Sequence, residues 1–501
     1  MRINEVELFV NVLFWLLNDN TFMHLNKSNS EPLYLQIYWQ LRRQILTGQL
    51  LPGAPLPASR RLARQYGVAR VTVTQAYEQL QAEGYVVGRP GAGTFVSDQL
   101  PLPLLPPAHA FKPEFSEWGQ RVLATDQDTT QAAAARPPID FGFGRSFPHI
   151  FPYDIWRRLL ARYLSTDDVM LSRYGSVAGF YPLRQALARY LGRLRGVNCT
   201  PEQVIIVSGA QQALDILGRL LLFSDDQVLV ETPGYASAFE LFAIRGANLL
   251  PLPVDDHGFP VERIPATARA RLVFVTPSNQ FPRGGTMPLA RRLALLRWAR
   301  AHDALVIEDD YDGELRYSSR PLAALQGLDE DGRVVYLGTF SKVLFPALRL
   351  GYVVLPTALV EPFVQAKALV DRGAPTLTQA AVADFISEGH FERHLRHLRQ
   401  AYGRRRHVLV QALDTYLPGA VQYSSVEAGL HVMLYLDPAC NEAAVVEQAA
   451  AAGVGVYPGE PYHLQKPAPP SILLGFSGLS ETEIEEGVQR LATVLTPVEI
   501  R

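Results

Sequence analysis

A lysine that follows small hydroxyl side chains at the end of an apolar strand is placed for carbonyl chemistry. Lys342 has that setting in GTFSKVLFPALRLGY, residues 338–352. A primary amine there suits Schiff-base formation with an aldehyde cofactor. Most lysines are surface charges, so the reading depends on what accompanies this one. Asp309 stands 33 residues earlier, at the end of the apolar run ALVIEDD. An acid at the C-terminal end of such a strand can pair with a pyridinium nitrogen, which keeps an aromatic ring protonated and electron-withdrawing. The plainer alternative is a solvated acid beside Asp310; the spacing to Lys342 favours the paired reading.

These two residues need a scaffold that gathers strand ends, and residues 138–501 carry the pattern for one. Apolar runs alternate with amphipathic stretches, among them QVIIVSG, QVLVETP, RLVFVTPS, ALVIEDD, VVYLGTF and GYVVLP. Short apolar runs separated by helical stretches predict a mostly parallel α/β sheet. At 501 residues the chain is too long for one ordinary core. Its composition, 48% hydrophobic and 19% charged, is that of a soluble globular protein. Residues 99–137 (LPLPLLPPAHA, then TDQDTTQAAAARPP) have the composition of a linker. Cys199 and Cys440 are far apart and lack metal-ligand spacing, which argues for a reducing, cytoplasmic compartment, no disulfide framework and no metal. Residues 1–23 read as a non-secretory extension. The run Leu8–Leu17 is too short to span a bilayer, Glu5 and Glu7 stand where a signal peptide carries positive charge, and Met23 is an alternative start.

Residues 24–98 form a different module. A net charge of -2 excludes the whole chain as an electrostatic nucleic-acid binder, yet Lys27–Asp98 holds eight basic and four acidic residues, enough for phosphate contacts. Ile37, Leu41 and Ile45 recur at helical spacing. A second helix is predicted over Arg60–Tyr66 with Ser59 as N-cap, then a turn at Gly67. A third runs from Arg70 to Glu83 with Val73, Ala76, Tyr77 and Leu80 on its core side. YVVGRPGAGTFVS then reads as two strands about a glycine-rich tip. That order is a winged helix-turn-helix.

LPASRRLARQYGVARVTVTQAYEQLQAEGYVVGRPGAGTFV resembles the GntR-type DNA-binding module over nearly its full length. The resemblance places Arg60, Arg70, Thr72, Thr74, Gly91 and Gly93 against double-stranded operator DNA. The larger region resembles the fold type I pyridoxal 5′-phosphate (PLP) enzymes, and residues 24–501 together resemble the MocR-type transcriptional regulators. This implies a large mostly parallel α/β/α domain with a smaller α+β subdomain. It also implies that Lys342 forms the Schiff base and Asp309 binds the pyridine nitrogen. Tyr311 and Asn279 (in TPSNQFPRGG) would bind the ring O3′, and Tyr235 (in ETPGY) would stack on the ring. Thr339, Ser341 and Arg349 would bind phosphate with the turn Ser208, Gly209, Ala210 and Gln211, which opens a helix. Tyr174, in RYGSVAGFYPLRQAL, would reach the phosphate of a partner subunit. A homodimer, commonly domain-swapped in this family, follows from the resemblance alone.

One departure bears on function. Many fold type I aminotransferases carry an arginine near the C-terminus that clamps the substrate carboxylate. Here SILLGFSGL, residues 471–479, aligned by eye, puts Leu473 at that place. Loss of a bidentate clamp removes much of the positioning that amino-acid turnover needs. The favoured reading is therefore a regulator that senses PLP itself, or an amine or amino acid captured as an aldimine, and controls genes of vitamin B6 or amino-compound metabolism. The alternatives are a working aminotransferase with an accessory DNA-binding domain and a non-enzymatic PLP store or interaction protein.

Overall fold

The computed structural model describes residues 25–27, 30–100, 113–125, 136–145, 150–164, 172–317 and 322–495. The N-terminal extension with its apolar run, and most of the stretch read as linker, lie outside the described residues. The chain divides into two compact units, Met1–Glu114 and Phe115–Arg501.

In the first unit, α1 (Leu33–Leu46) buries Ile37, Leu41 and Ile45 on one stripe. It is followed by α2 (Ser59–Tyr66) and α3 (Arg70–Ala82). Gly67 takes φ +59 at the α2–α3 turn, and Val68 N–H bonds back to the Ala63 carbonyl. This left-handed stop reverses the chain in very few residues. Val73, Ala76, Tyr77 and Leu80 of α3 are all buried. The strands β1 (Val86–Arg89) and β2 (Gly93–Val96) pair antiparallel from Val86↔Val96 to Arg89↔Gly93. Ser59 is not the N-cap that the sequence predicts. Ala58 holds that position without a side-chain bond, and the Ser59 hydroxyl instead accepts from Arg70 Nε at 3.2 Å. The nearby guanidinium offers that hydroxyl a stronger partner than the helix terminus does.

The second unit is built on a seven-stranded sheet. Its strands are β3 (Val204–Val207), β4 (Gln227–Thr232), β5 (Asn248–Pro253), β6 (Ala270–Val275), β7 (Leu305–Asp310), β8 (Val334–Thr339) and β9 (Gly351–Val354). Their order is β3-β9-β8-β7-β6-β4-β5. Only β9 opposes its neighbours; the other pairs are parallel. The six apolar runs of the sequence are six of these strands. The seventh, β5, reads NLLPLP and gave no signal, because its two prolines argue against a strand. It stands at the sheet edge, where proline is tolerated. A smaller four-stranded antiparallel sheet holds β10 (Gln422–Tyr423), β11 (His431–Tyr435), β12 (Tyr457–Pro458) and β13 (Ser471–Gly475), ordered β10-β11-β13-β12.

Part of the stretch read as linker is helical. In α4 (Glu117–Leu123), the Ser116 hydroxyl caps the helix by accepting from Gly119 N–H, and the Trp118 ring lies 5.8 Å from the Arg219 guanidinium. Among the described residues no helix is long and apolar enough to cross a membrane. None of their His, Cys, Asp and Glu side chains form a group of three or more suited to a metal ion.

Candidate functional site

The pleat of β7 sorts three consecutive acids. Successive side chains on a strand point to opposite faces, so Glu308 and Asp310 share one face and Asp309 takes the other. Glu308 accepts from the backbone N–H groups of Leu325 and Gln326 at 2.8 and 2.9 Å. Asp310 accepts from Arg195 Nε and Nη2 at 2.9 and 2.6 Å and from the Tyr336 hydroxyl at 2.6 Å. Arg195 is fully buried, and also donates to Ser278 Oγ at 2.8 Å. Asp309 is left facing a cavity of about 210 Å³ at the C-terminal ends of the parallel strands. In open α/β sheets that edge is where ligands bind.

Asp309 is buried, and no hydrogen-bond donor among the described residues meets its carboxylate. Burial pushes its pKa up to about 7, helped by the charge of Asp310 and opposed by Lys342. Lys342 sits in the turn after β8 and lines the same cavity, its Nζ 4.1 Å from the centre of the Phe143 ring. Burial brings its pKa down to about 8, against the pull of Asp312 and Asp309. A lysine so shifted offers a neutral amine near physiological pH.

At another wall, α5 (Ala210–Leu221) begins beneath Gly209, which takes φ +125. A Cβ at Gly209 would stand 3.3 Å from Arg349 Nη2. Both the backbone angle and the close guanidinium therefore call for glycine. Among the described residues no carboxylate pairs with Arg349. With the first N–H groups of α5 also lacking partners inside the helix, this wall has the chemistry to receive an anion. Tyr235, Thr339, Ser341, Ala210 and Gln211 also line the cavity.

The cavity thus gathers ten of the residues singled out in the sequence, and three stand outside its lining. Asn279 lies behind Tyr311: its Nδ2 donates to the Tyr311 hydroxyl at 3.0 Å and to Asp312 Oδ2 at 2.8 Å, while its buried Oδ1 has no partner among the described residues. Ser208 stands one residue below the anion turn, its N–H donating to Gln212 Oε1 at 2.9 Å. Tyr174 is 89% exposed and does not line this chain's own cavity. Sequence reasoning missed Phe143, Thr276, Phe281 and Pro346, which complete the lining. Thr276 and Phe281 flank Asn279 in a segment already of interest; Phe143 had no periodic signal to mark it. Leu473, on β13, is buried in an apolar cluster with Phe281, Tyr311 and Met433.

In the first unit, Arg60 and Arg70 are exposed on α2 and at the first turn of α3. Thr72 and Thr74 are half-buried, and the Thr74 hydroxyl donates to the Arg70 carbonyl at 3.1 Å. Gly91 and Gly93 are exposed at the hairpin tip with φ +76 and +111, angles that favour glycine.

Both units match known families. Residues 33–96 match the gntR family of bacterial regulatory proteins, and residues 150–491 match aminotransferase class I and II. The chain belongs to the MocR-type transcriptional regulators, PLP-binding regulators that join these two domains. It is 37% identical to the probable rhizopine catabolism regulatory protein MocR of Rhizobium meliloti, over 95% of this chain and 96% of that one. It is 32% identical to the pyridoxine biosynthesis transcriptional regulator PdxR of Corynebacterium glutamicum, over 91% and 94%. The second unit resembles Pyrococcus horikoshii kynurenine aminotransferase, solved in complex with PMP, with a TM-score of 0.71 and 31% identity, covering 76% of this chain and 96% of that one.

The Asp309 environment makes a prediction for the protein without ligand. A carboxyl that keeps its proton to about pH 7 when folded, but releases it near 3.8 when unfolded, costs stability as pH rises between those values, and the full cost persists above pH 7. Asp309→Asn removes that cost. Its melting temperature should match the parent near pH 4 and exceed it by several degrees at pH 8, on the order of 4–8 °C per kcal/mol for a small domain and less for a core this size. Equal melting temperatures at pH 8 would show that the carboxylate is solvated.

Proposed function

We propose that the chain is a DNA-binding regulator whose second unit holds PLP on Lys342 and whose operator affinity depends on what occupies that cavity. The observation that carries this is the pairing, in one cavity, of a partnerless buried acid at Asp309 with the depressed amine of Lys342. The residue set fits the cofactor. Asp309 would hold the ring nitrogen, Tyr311 and Asn279 the ring O3′, and Tyr235 would lie against the ring. Thr339, Ser341, Arg349 and the N–H groups of Gly209, Ala210 and Gln211 would hold the phosphate. Bound there, PLP supplies an aldehyde that condenses with primary amines and a ring that withdraws electrons.

The chain's own groups do the rest. Lys342, about half neutral near pH 8, is the internal amine with which a free amine competes. Asp309 holds a proton at its carboxyl up to about pH 7. Phe143 and Phe281 keep water from the wall beside Lys342. With Leu473 in place of a guanidinium, nothing on β13 clamps a carboxylate, which supports a sensor over an aminotransferase. The effector is PLP itself or an amine, in keeping with relatives named for pyridoxine biosynthesis and for rhizopine catabolism. Ligand control requires unequal binding to two arrangements of the protein. A homodimer supplies them, and the exposed Tyr174 is the residue offered to the partner's phosphate. The compartment is the cytoplasm, where operator DNA meets α2, α3 and the wing through Arg60, Arg70, Thr72, Thr74, Gly91 and Gly93.

Two outcomes check the assignment. With PLP added, the parent should give an absorbance band that borohydride reduces to a stable adduct, and Lys342→Ala should lose it completely; an adduct that persists in the variant would remove Lys342 from the role. Arg70→Ala should weaken operator binding by about 1–3 kcal/mol if the guanidinium meets a base edge. Unchanged affinity and sequence preference would take Arg70 out of the contact set.

A further inference from the structure

Below the anion end of the cavity runs a chain of polar groups that the cofactor reading leaves unused. Gln212 is the third residue of α5. Its Oε1 accepts from Ser208 N–H, a capping arrangement that ties the helix start to the residue before the glycine turn. Its Nε2 donates to Asp371 Oδ2 at 2.7 Å. Asp371 follows α6 (Thr357–Val370). It also accepts from Lys367 Nζ, at 2.8 and 2.9 Å on its two oxygens, and from Gly373 N–H at 2.8 Å. Lys367 is fully buried. Burial pushes the Asp371 carboxyl up, but the bonds from Lys367, Gly373 and Gln212 outweigh it and hold the group below the usual range.

The same carboxylate is tied to a second loop. A Cβ at Gly373, which has φ +119, would stand 3.4 Å from the Ser176 carbonyl, and a Cβ at Gly175 would meet Thr376 Oγ1 at 2.5 Å. The segment after Asp371 therefore packs against residues 175–177, directly beside Tyr174. One ion pair, its lysine buried and its carboxylate half-buried, sits between the turn that faces this chain's anion site and the loop that carries the tyrosine offered to the partner's.

We propose that Asp371 is a positioning residue for phosphate recognition, acting through Gln212 to hold the Ser208–Gln211 turn so that the N–H groups of Gly209, Ala210 and Gln211 converge on the anion. The inference rests on reading the cavity as a PLP site. A carboxylate buttressed by a buried ammonium is a rigid post, and a turn held by it loses little freedom when an anion arrives. Without the post, Gln212 can release Ser208 and the N–H groups diverge. Asp371 touches neither Lys342 nor Asp309, so capture of an aldehyde without phosphate does not depend on it.

The test compares two ligands that differ only in the phosphate. PLP and pyridoxal are titrated into the full-length protein, with the absorbance of the lysine adduct as readout. Asp371→Asn should weaken PLP by about tenfold or more, or about 1.4 kcal/mol, and leave pyridoxal within about twofold. Asp371→Asn exposes the buried Lys367 ammonium to an unpaired state and can compromise folding. Gln212→Met, which keeps the Lys367–Asp371 pair, should give the same split. Equal losses for both ligands in Gln212→Met, or no loss for PLP, would overturn the proposal and leave the network a purely structural one. A parent protein that gives no adduct with either ligand would overturn the cavity reading itself, and the proposal with it.

Discussion

The site depends on the pleat of β7. Glu308, Asp309 and Asp310 are adjacent in sequence, and three carboxylates packed together in a core would repel each other and stay protonated. The strand eases this by alternation, although the charge of Asp310 still pushes the Asp309 carboxyl up. Two acids turn to a face that offers backbone N–H groups and the buried Arg195 guanidinium. Asp309 turns to the face where no donor waits. Its cost of burial is tolerable because the fold pairs its neighbours, and it leaves a carboxyl ready for a cation that the protein itself does not provide. Breaking a buried pair such as Arg195–Asp310 costs on the order of 3–5 kcal/mol, so the sorting is firmly held.

The rest of the cavity follows from sheet direction. The parallel strands β3, β4, β6, β7 and β8 all end at one edge; the end of β7 carries Asp309, and the turns beyond the others deliver the Gly209 turn, Tyr235, Asn279 and Lys342. β9 runs the other way, so Arg349, just ahead of it, arrives at the same edge from the opposite sense. The cavity thereby gains an acid wall and a cationic wall. That polarity suits a ligand with a basic ring nitrogen and a phosphate.

Much of this was legible in the sequence, for identifiable reasons. The spacing of Asp309 and Lys342, and the apolar runs around them, are local patterns that survive in one dimension. The stripe Ile37, Leu41, Ile45 and the glycine of the α2–α3 turn are likewise local. Elements held together by distant partners were not legible. β5 hides behind two prolines that only an edge position allows. α4 hides in linker composition, because its anchor is a tryptophan against the distant Arg219. Ser59 was misread as a cap because its partner, Arg70, lies 11 residues on. Phe143 faces Lys342 across nearly 200 residues of chain, and Tyr174 shows no role within a single chain.

The central claim, that cavity occupancy and DNA binding belong to one device, is tested most directly by fluorescence anisotropy. The protein, with and without PLP, is titrated against the DNA upstream of its own gene and against a scrambled duplex at one fixed moderate salt concentration. The account predicts tighter binding to the upstream sequence than to the scrambled duplex, by a margin that changes when PLP is added. Equal binding to both duplexes, whether or not PLP is present, would contradict it.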